Sequence, residues 1–571
     1  MRKTQHKTFL FAQKLLTSTE YLHTRPYLLV FSALQHIPPS PHAVLAVLPQ
    51  QTAAREKKKN WAFSLFSSRL ALLLLRERSA RTKYAFKMIN FKMVCKALGS
   101  LLFIEAMLLT LCLGMGFLYG ETNYFTFGVP TAVALTLGTW LKVKGRHADN
   151  RMGRRDGFLV VSAAWVVFSL VGMLPFLVGG HTPRVSVALF ETMSGFTTTG
   201  ATAFDDVDAL PRSVLFWRSL THWMGGLGIV FFTIALLPNM GQGDLRLFSA
   251  ESTGLKIGKL HPRISTTARW LWGLYLLLTA TCLGAYHLAG MDWFDAVNHA
   301  LSTIATGGFS THTTSIGYYE SRAIEYVSIG FMFISSINFT LLYLLLIKRK
   351  WRSVWADNEL RCFLLILGSV SLIMAVTLCF DGLSVEESVR TALFNVVSLQ
   401  STTGFTATDF MMWHPALWML LSIVSVIGAC AGSTSGGLKC VRVLTAMKLV
   451  VNEFRQKLHP HAVLPVRIGG NTLAAGVPRT VFVFFAVYFL LIFVSAILMS
   501  CMGLPLLDAL GLGISAFSNV GPSIGYAVGP LDSWGILPDA ALYLNAFLML
   551  AGRLEIFSLL LLFVPAFWRN N

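Results

Sequence analysis

The sequence has little charge for its length. Only 13% of its 571 residues are Asp, Glu, Lys or Arg, whereas 54% are hydrophobic, and the mean hydropathy is +0.60. Soluble domains carry about 25% charged residues. The shortage excludes an ordinary soluble multidomain protein and indicates a membrane protein, because apolar runs long enough to cross about 30 Å of hydrocarbon recur along the chain.

Acidic residues are scarcer than basic ones, which gives a net charge of +19. Such an excess can indicate a nucleic-acid partner, but here Lys and Arg cluster in short segments between apolar runs and form no stripe with interleaved aromatics. In a membrane protein this pattern reports orientation. We therefore expect membrane lipid around the chain and no nucleic acid.

The eight cysteines include no CxxC pair and lie in or beside apolar runs. This distribution is typical of small buried hydrophobic residues, and it indicates neither a disulfide framework nor a zinc site.

One short pattern occurs four times, at intervals of about 100 residues. The copies are Ser194 to Thr202 (SGFTTTGAT), Ser302 to Ser310 (STIATGGFS), Ser398 to Thr406 (SLQSTTGFT) and Ser515 to Ser523 (SAFSNVGPS). Aligning them on Gly200, Gly308, Gly404 and Gly521 places a serine six residues before every glycine and an alanine twelve before it. The repeated unit is long enough to contain several helices.

Each copy follows a short amphipathic segment and lies between two longer apolar runs, which divides the chain into six parts. Residues 1–93 read as a basic, disordered N-terminal extension, and 94–145 as two leading transmembrane helices. Four pore repeats then cover 156–240, 266–350, 360–455 and 478–571. Within these repeats, Val327 to Ile347 and Ala541 to Phe567 are each expected to be one continuous crossing, and Leu417 to Leu449 one that is interrupted in its middle.

The basic loops predict the orientation. Lys142 to Arg155 is strongly basic and is expected to be cytoplasmic, as are the basic returns between repeats. All four glycine stretches then face the outside, where Asp205, Asp206, Asp208 and Asp409 follow them and would gather cations.

A segment of about twelve residues is too short to cross a bilayer as a helix, so it must enter and return. Its C-terminal end is electronegative and favours a cation near the membrane centre. The glycine that follows accepts the positive φ needed to aim carbonyls at a common axis. Four copies therefore predict an ion pore, although a single Thr-Thr-Gly would be read as an ordinary loop.

These motifs resemble those of the Trk/Ktr/HKT superfamily of potassium transporters, and the Trk branch in particular. The resemblance runs from about residue 95 to the C-terminus and includes HWMGGLGIVFF at His222 to Phe232, GACAGSTSGGLK at Gly428 to Lys439 and GRLEIFSLLLLFVPAFW at Gly552 to Trp568. It implies an all-α polytopic membrane protein with two leading helices and four M1-P-M2 pore-loop repeats in fourfold pseudosymmetry. It also implies potassium uptake across the bacterial inner membrane, both termini in the cytoplasm, a homodimer, and a cytosolic nucleotide-binding regulatory subunit of the TrkA type.

The resemblance also assigns a selectivity filter for the transported potassium ion. Gly308 is chosen over the adjacent Gly307 as the filter glycine because Phe309 then matches Phe405. Plant relatives that prefer sodium have serine at the position of Gly200, so this glycine favours potassium. The residues assigned to the filter are Thr198, Thr199, Gly200, Thr306, Gly307, Gly308, Thr402, Thr403, Gly404, Asn519, Val520 and Gly521.

The glycine-rich segment Gly428 to Gly437 interrupts an apolar crossing. Tight packing of small residues could explain it, but unpaired backbone at membrane depth also requires a polar cavity. The resemblance assigns it to an intramembrane gating loop closed by Arg553, whose alternatives are a charge at the inner interface or a partner of Glu555. Lys439 does not directly follow Gly437, so we expect no bound nucleotide. The residues assigned to the gate are Gly428, Gly432, Ser433, Thr434, Ser435, Gly436, Gly437, Lys439 and Arg553.

Two other readings stay open. One is a less selective monovalent cation permease with sodium as its main substrate, and the other is a carrier of a different solute. No catalytic cluster is evident, and Glu191, Asp295, His299 and Asp508 are expected to make local hydrogen bonds or charge contacts, with no metal between them. The residues do not decide between proton-coupled, sodium-coupled and channel-like flux.

Overall fold

The computed structural model describes residues 89–148, 153–226, 228, 264–462, 464–468, 471–473 and 476–569. The expected N-terminal extension lies almost wholly outside these residues, as does the end of the first repeat beyond Gly226. Within them the regular secondary structure is helical apart from one antiparallel hairpin, β1 (Arg467–Ile468) with β2 (Asn471–Thr472), in which Arg467 faces Thr472. The prediction of an all-α fold is confirmed.

The two leading helices are α1 (Phe91–Leu118) and α2 (Phe125–Lys144), which pack along each other. The side chain of Asn90 caps α1 by accepting a hydrogen bond from the amide of Met93 at 3.2 Å. Close packing of the pair needs small residues, since a Cβ at Gly99 would lie 2.7 Å from the carbonyl oxygen of Gly138.

Each repeat begins with a long helix and continues with a short one, as expected. The long helices are α3 (Arg154–Gly172, continued by α4, Leu174–Val178), α7 (Ile264–Leu288), α12 (Asn358–Phe380) and α16 (Gly476–Cys501). The short helices are α5 (Val185–Phe196), α8 (Trp293–Ala305), α13 (Val385–Gln400) and α17 (Leu506–Ser518). Their 12 to 16 residues correspond to about 18–24 Å, which is less than the thickness of the hydrocarbon.

The helix that follows the glycine stretch is shorter than expected in the second, third and fourth repeats, and in the first repeat the described residues show it as far as Gly226. These helices are α6 (Arg212–Gly226), α9 (Arg322–Ser336), α14 (Pro415–Ile427) and α18 (Asp539–Arg553). In the third repeat the chain resumes as α15 (Cys440–Leu458) after the glycine-rich segment, which confirms the predicted interruption.

The expectation of continuous crossings in the second and fourth repeats is wrong. Between α9 and α10 (Phe339–Leu346) the chain bends by 104°, and between α18 and the turns over Phe557–Phe563 it bends by 110°. At the first bend Asn338 caps the new helix by accepting from the amide of Thr340. At the second, Glu555 and Ile556 both have positive φ, which ends the helix.

Shorter helices complete the described chain: α11 (Trp351–Trp355), α19 (Phe557–Leu560) and α20 (Pro565–Trp568). Among the described residues, five helical stretches are long and apolar enough to cross a membrane, and the two bent pairs bring this to seven. Helix α2 is long enough but less apolar.

Candidate ion filter and gate

The four short helices end in the same way. The residue two before each aligned glycine has a left-handed backbone, with φ of +54° at Thr198, +53° at Thr306, +58° at Thr402 and +56° at Asn519. The next amide donates to the carbonyl of the serine six before the glycine, at 2.9, 2.9, 2.9 and 3.0 Å in the four repeats. This is the Schellman helix end, in which the backbone carbonyl of the recurring serine accepts the closing hydrogen bond.

A left-handed conformation is unusual for threonine, whose branched Cβ makes it costly by about 1–3 kcal/mol. Three of the four positions nevertheless hold threonine, and all four side chains are buried. Backbone strain of this kind persists only where the surroundings impose it, and it is concentrated at functional sites.

The aligned glycines have positive φ as well: +83° at Gly200, +87° at Gly308, +78° at Gly404 and +101° at Gly521. Gly307 is absent from the positive-φ residues, so the backbone equivalent of the other three is Gly308. Between the two left-handed positions of each copy stands a residue with ordinary φ. In an extended strand with uniform dihedrals successive carbonyls point to opposite sides, and alternation of handedness turns them toward one side.

The four glycines form a closed ring in chain order. A Cβ on Gly200 would lie 2.0 Å from the carbonyl oxygen of Gly307, one on Gly308 2.1 Å from that of Thr403, and one on Gly404 1.8 Å from that of Val520. The ring closes where a Cβ on Gly521 would lie 2.6 Å from the carbonyl oxygen of Thr199. Each repeat therefore packs its glycine against the carbonyl of the next repeat, so a side chain at any of these positions would force the ring apart.

All four glycines border one cavity of about 60 Å³. The C-terminal ends of four helices converge beside it, and each end carries partial negative charge on its carbonyls. Arg218 also borders the cavity, but it pairs with Glu191 at 2.8 Å. The site as a whole suits a small cation.

Acids hold the loops that follow the short helices, as expected for Glu191 and Asp508, which are buried, and Asp295, which is partly exposed. Glu191 accepts from the amide of Ala203 at 2.8 Å, and Asp508 accepts from the amide of Ala527 at 2.7 Å. Asp295 accepts from the hydroxyl of Thr311 at 2.7 Å. Among the described residues, no group of three His, Cys, Asp or Glu side chains is placed to hold a metal ion.

The fourth predicted local contact also occurs and reaches the loop after the second glycine. His299 Nε2 lies 3.0 Å from the hydroxyl of Ser310, and its Nδ1 lies 2.9 Å from the carbonyl of Asp295. Arg218, on α6 of the first repeat, donates to the carbonyl of Ser310 at 2.9 Å. Arg218, which forms a buried ion pair with Glu191 inside the first repeat, therefore also joins the first two repeats behind the ring, and the sequence pattern did not indicate this.

The glycine-rich segment lies against the helix ends that form the ring. The amide of Gly436 donates to the hydroxyl of Thr402 at 2.6 Å, and a Cβ on Gly436 would lie 2.2 Å from the carbonyl oxygen of Ser518. The hydroxyl of Thr434 donates to the carbonyl of Ile304 at 3.1 Å. The segment thus contacts the second, third and fourth repeats at once.

One carboxylate that the motifs did not single out bonds an amide within the segment and another just after it. Glu359, in the first turn of α12, is buried and accepts from the amides of Ala431 at 2.6 Å and Val441 at 3.1 Å.

Within the segment the hydroxyls of Ser433 and Ser435 lie 2.8 Å apart. Gly428, Gly432 and Gly437 have φ of +69°, +77° and +72°, so the tight path needs residues without a Cβ. Lys439 donates to the carbonyl of Ser435.

Arg553 contacts the segment, as the resemblance implied. Its guanidinium donates to the carbonyl of Thr434 at 2.8 Å and to that of Gly226 at 3.2 Å, and it also bonds the carbonyl of Gly225. It therefore bridges the first repeat and the glycine-rich segment. Glu555 forms an ion pair with Arg442 at the start of α15.

The acidic loop after the first glycine stretch is tied to the second repeat. His312 places Nδ1 2.6 Å from Asp208 and Nε2 3.0 Å from Asp295. Burial lowers the pKa of His312, but the hydrogen bonds and charges of the two carboxylates outweigh it and raise this pKa above its usual value. Asp205 and Asp206 are exposed, whereas Asp409 caps a turn by accepting from the amide of Met411.

Apolar helices long enough to cross a bilayer, arranged around a ring of backbone carbonyls, define a polytopic α-helical membrane transport protein rather than an enzyme. Residues 124–570 match the TrkH family, whose members are described as cation transport proteins. The chain belongs to this family.

The chain is similar to two bacterial proteins named Trk system potassium uptake protein TrkH. It is 37% identical to that of Halomonas elongata over 484 residues, which cover 84% of this chain and 100% of the relative. It is 39% identical to that of Escherichia coli K12 over 443 residues, 77% of this chain and 91% of the relative. The crystal structure of the potassium transporter TrkH from Vibrio parahaemolyticus superposes with a TM-score of 0.76 at 36% identity, covering 84% of this chain and 100% of that one.

Proposed function

We propose that this protein takes up potassium across the bacterial inner membrane through the ring of Gly200, Gly308, Gly404 and Gly521. The observation that carries the proposal is the closure of the ring, in which each glycine meets the carbonyl of the following repeat. The names of its relatives, which are potassium uptake proteins, give independent support.

The filter works by replacing water around the ion. Carbonyls of the residues before each glycine replace the hydration shell of an entering potassium ion, and the four helix ends stabilise its charge. Only one glycine per repeat is shared, so the filter has few tight sites and rejects sodium incompletely.

The gate is the segment Gly428 to Gly437, held shut by Arg553. In the closed arrangement the positive guanidinium bonds a carbonyl of the segment and repels cations approaching along the axis. Opening requires the segment to leave the carbonyl of Ile304, the hydroxyl of Thr402 and Arg553 together.

The four repeats correspond to residues 156–240, 266–350, 360–455 and 478–571. In the proposed orientation the acidic loops face the outside, and both termini lie in the cytoplasm. The chain works as a homodimer with a cytosolic nucleotide-binding subunit, and potassium is its cargo.

The test is growth of a bacterium deficient in potassium uptake on micromolar to millimolar potassium. We expect rescue by the intact chain and loss of potassium preference in Gly200→Ser, because the added Cβ meets the carbonyl of Gly307 at 2.0 Å and φ is +83°. Uptake of sodium in preference to rubidium by the intact chain would instead establish a sodium permease. Failure to rescue despite normal membrane amounts, even with a cytosolic partner supplied, would overturn the proposal.

A further inference from the structure

One of the four repeats departs from the others at the residue that directly precedes the aligned glycine. Three repeats have a branched side chain there: Thr199, Thr403 and Val520. Thr199 accepts from the side-chain amide of Asn519 at 3.0 Å, and the hydroxyl of Thr403 lies 2.6 Å from that of Ser401. The second repeat has Gly307, which brings no side chain to support the filter from behind.

An imidazole from another repeat occupies that space. A Cβ on Gly307 would lie 2.2 Å from Nδ1 of His222, 2.4 Å from its Cγ and 2.7 Å from its Cε1. His222 belongs to α6 of the first repeat and is fully buried. The ring of His222 therefore takes the place that a side chain at 307 would fill.

His222 also bonds the filter segment it supports. Its Nδ1 lies 3.0 Å from the hydroxyl of Ser302 and accepts from the amide of Phe309 at 3.4 Å. Its ring stacks on that of Phe309, with centroids 4.1 Å apart and planes inclined by 14°. Accepting from an amide requires a lone pair on Nδ1, so the imidazole holds the backbone on both sides of Gly308 while it is neutral.

We propose that His222 is a positioning residue that sets the width of the ring at Gly308 and so determines how well the filter rejects sodium. The proposal rests on the proposed function, since it assumes that Gly308 belongs to the potassium filter. A small change in the placement of these carbonyls alters how well they replace the hydration shell of one ion relative to another.

The experiment is a mutant cycle in the full-length chain, read as rubidium uptake with and without competing sodium in cells deficient in potassium uptake. The variants are His222→Ala, Gly307→Ala and the double variant. His287→Ala is the matched control, because its imidazole also stacks on an aromatic ring, that of Trp293 at 4.0 Å, away from the filter.

We expect His222→Ala to retain rubidium uptake with a several-fold lower preference over sodium. Gly307→Ala should lose uptake, because its Cβ meets the imidazole. The double variant should recover rubidium uptake, since the methyl group then fills space that the imidazole has left. Residues in contact are coupled, so the uptake of the double variant should exceed the product of the two single effects by about two- to 150-fold. His287→Ala should behave as the intact chain.

An unchanged preference in His222→Ala, or a double variant no better than Gly307→Ala, would overturn the inference. Failure of the intact chain to prefer rubidium would instead overturn the proposed function. If His222→Ala is absent from the membrane, His222→Gln takes its place. Its amide oxygen can accept from Phe309 but brings no ring, so the intact chain's full preference in this variant would also count against His222.

Discussion

Replacing Arg553 with Ala should open the proposed gate. Among the described residues the guanidinium bonds the carbonyls of Thr434, Gly225 and Gly226, and the bond to Thr434 connects it to the glycine-rich segment. A hydrogen bond from a charged donor contributes about 1.5–3 kcal/mol, which corresponds to about a ten- to 150-fold shift between closed and open segments. The variant also removes the positive charge of the proposed gate, which should likewise raise the leak of cations.

The assay is rubidium uptake into proteoliposomes containing the purified chain without a cytosolic partner. We expect the leak of Arg553→Ala to rise by about ten- to 150-fold, up to the limit set by the fully open pore. Arg212→Ala is the matched control, because its guanidinium lies over the ring of Tyr119, 4.5 Å from the centroid. Arg553→Lys keeps the charge and should give an intermediate leak. An unchanged leak in Arg553→Ala, at equal protein per vesicle, would refute the role of this residue in closing the pore.

Two further predictions concern the loops around the ring. Thr402→Val removes the hydroxyl that accepts from the amide of Gly436, so it should raise the rubidium leak by about two- to tenfold. Thr306→Val is the control, because the hydroxyl of Thr306 bonds only a neighbouring carbonyl in the described chain, and its leak should stay as in the intact chain. Equal leaks in the two variants would contradict this prediction. His312→Gln should lower the melting temperature measured by tryptophan fluorescence in detergent. Because the pKa of His312 is raised in the folded protein, the difference in melting temperature between the variant and the intact chain should be largest below about pH 6.5 and shrink as the pH rises. A difference that does not change with pH would show that the charge of His312 is not involved.

The ring was predictable because its signal is repeated. The shared serine, glycine and preceding short helix of each copy are local features, and the backbone follows them closely at Gly200, Gly308, Gly404 and Gly521. The left-handed threonines were not predictable, since the branched Cβ argues against that conformation. Only the packing of four helix ends around one site imposes it.

The bends and the residues behind the ring depend on contacts that are distant in sequence. Val327 to Ile347 reads as a continuous apolar run, but the amide of Phe339 donates to the carbonyl of Gly432 and the helix breaks there. Glu359 lies in no motif, and the motif that begins at His222 gives this residue no role of its own. Each takes its role from backbone atoms that the fold brings to it from other repeats or from far along the same repeat.

Because one polypeptide supplies all four quadrants of the ring, the quadrants are free to differ. In an assembly of four identical subunits every substitution is present four times. A large side chain such as that of His222 or Arg553 would then crowd the centre of the ring from all sides. Here each enters once. A single substitution therefore changes one side of the ring while the other three stay as they were, so the proposed selectivity and the proposed closure can be altered in small, separate steps.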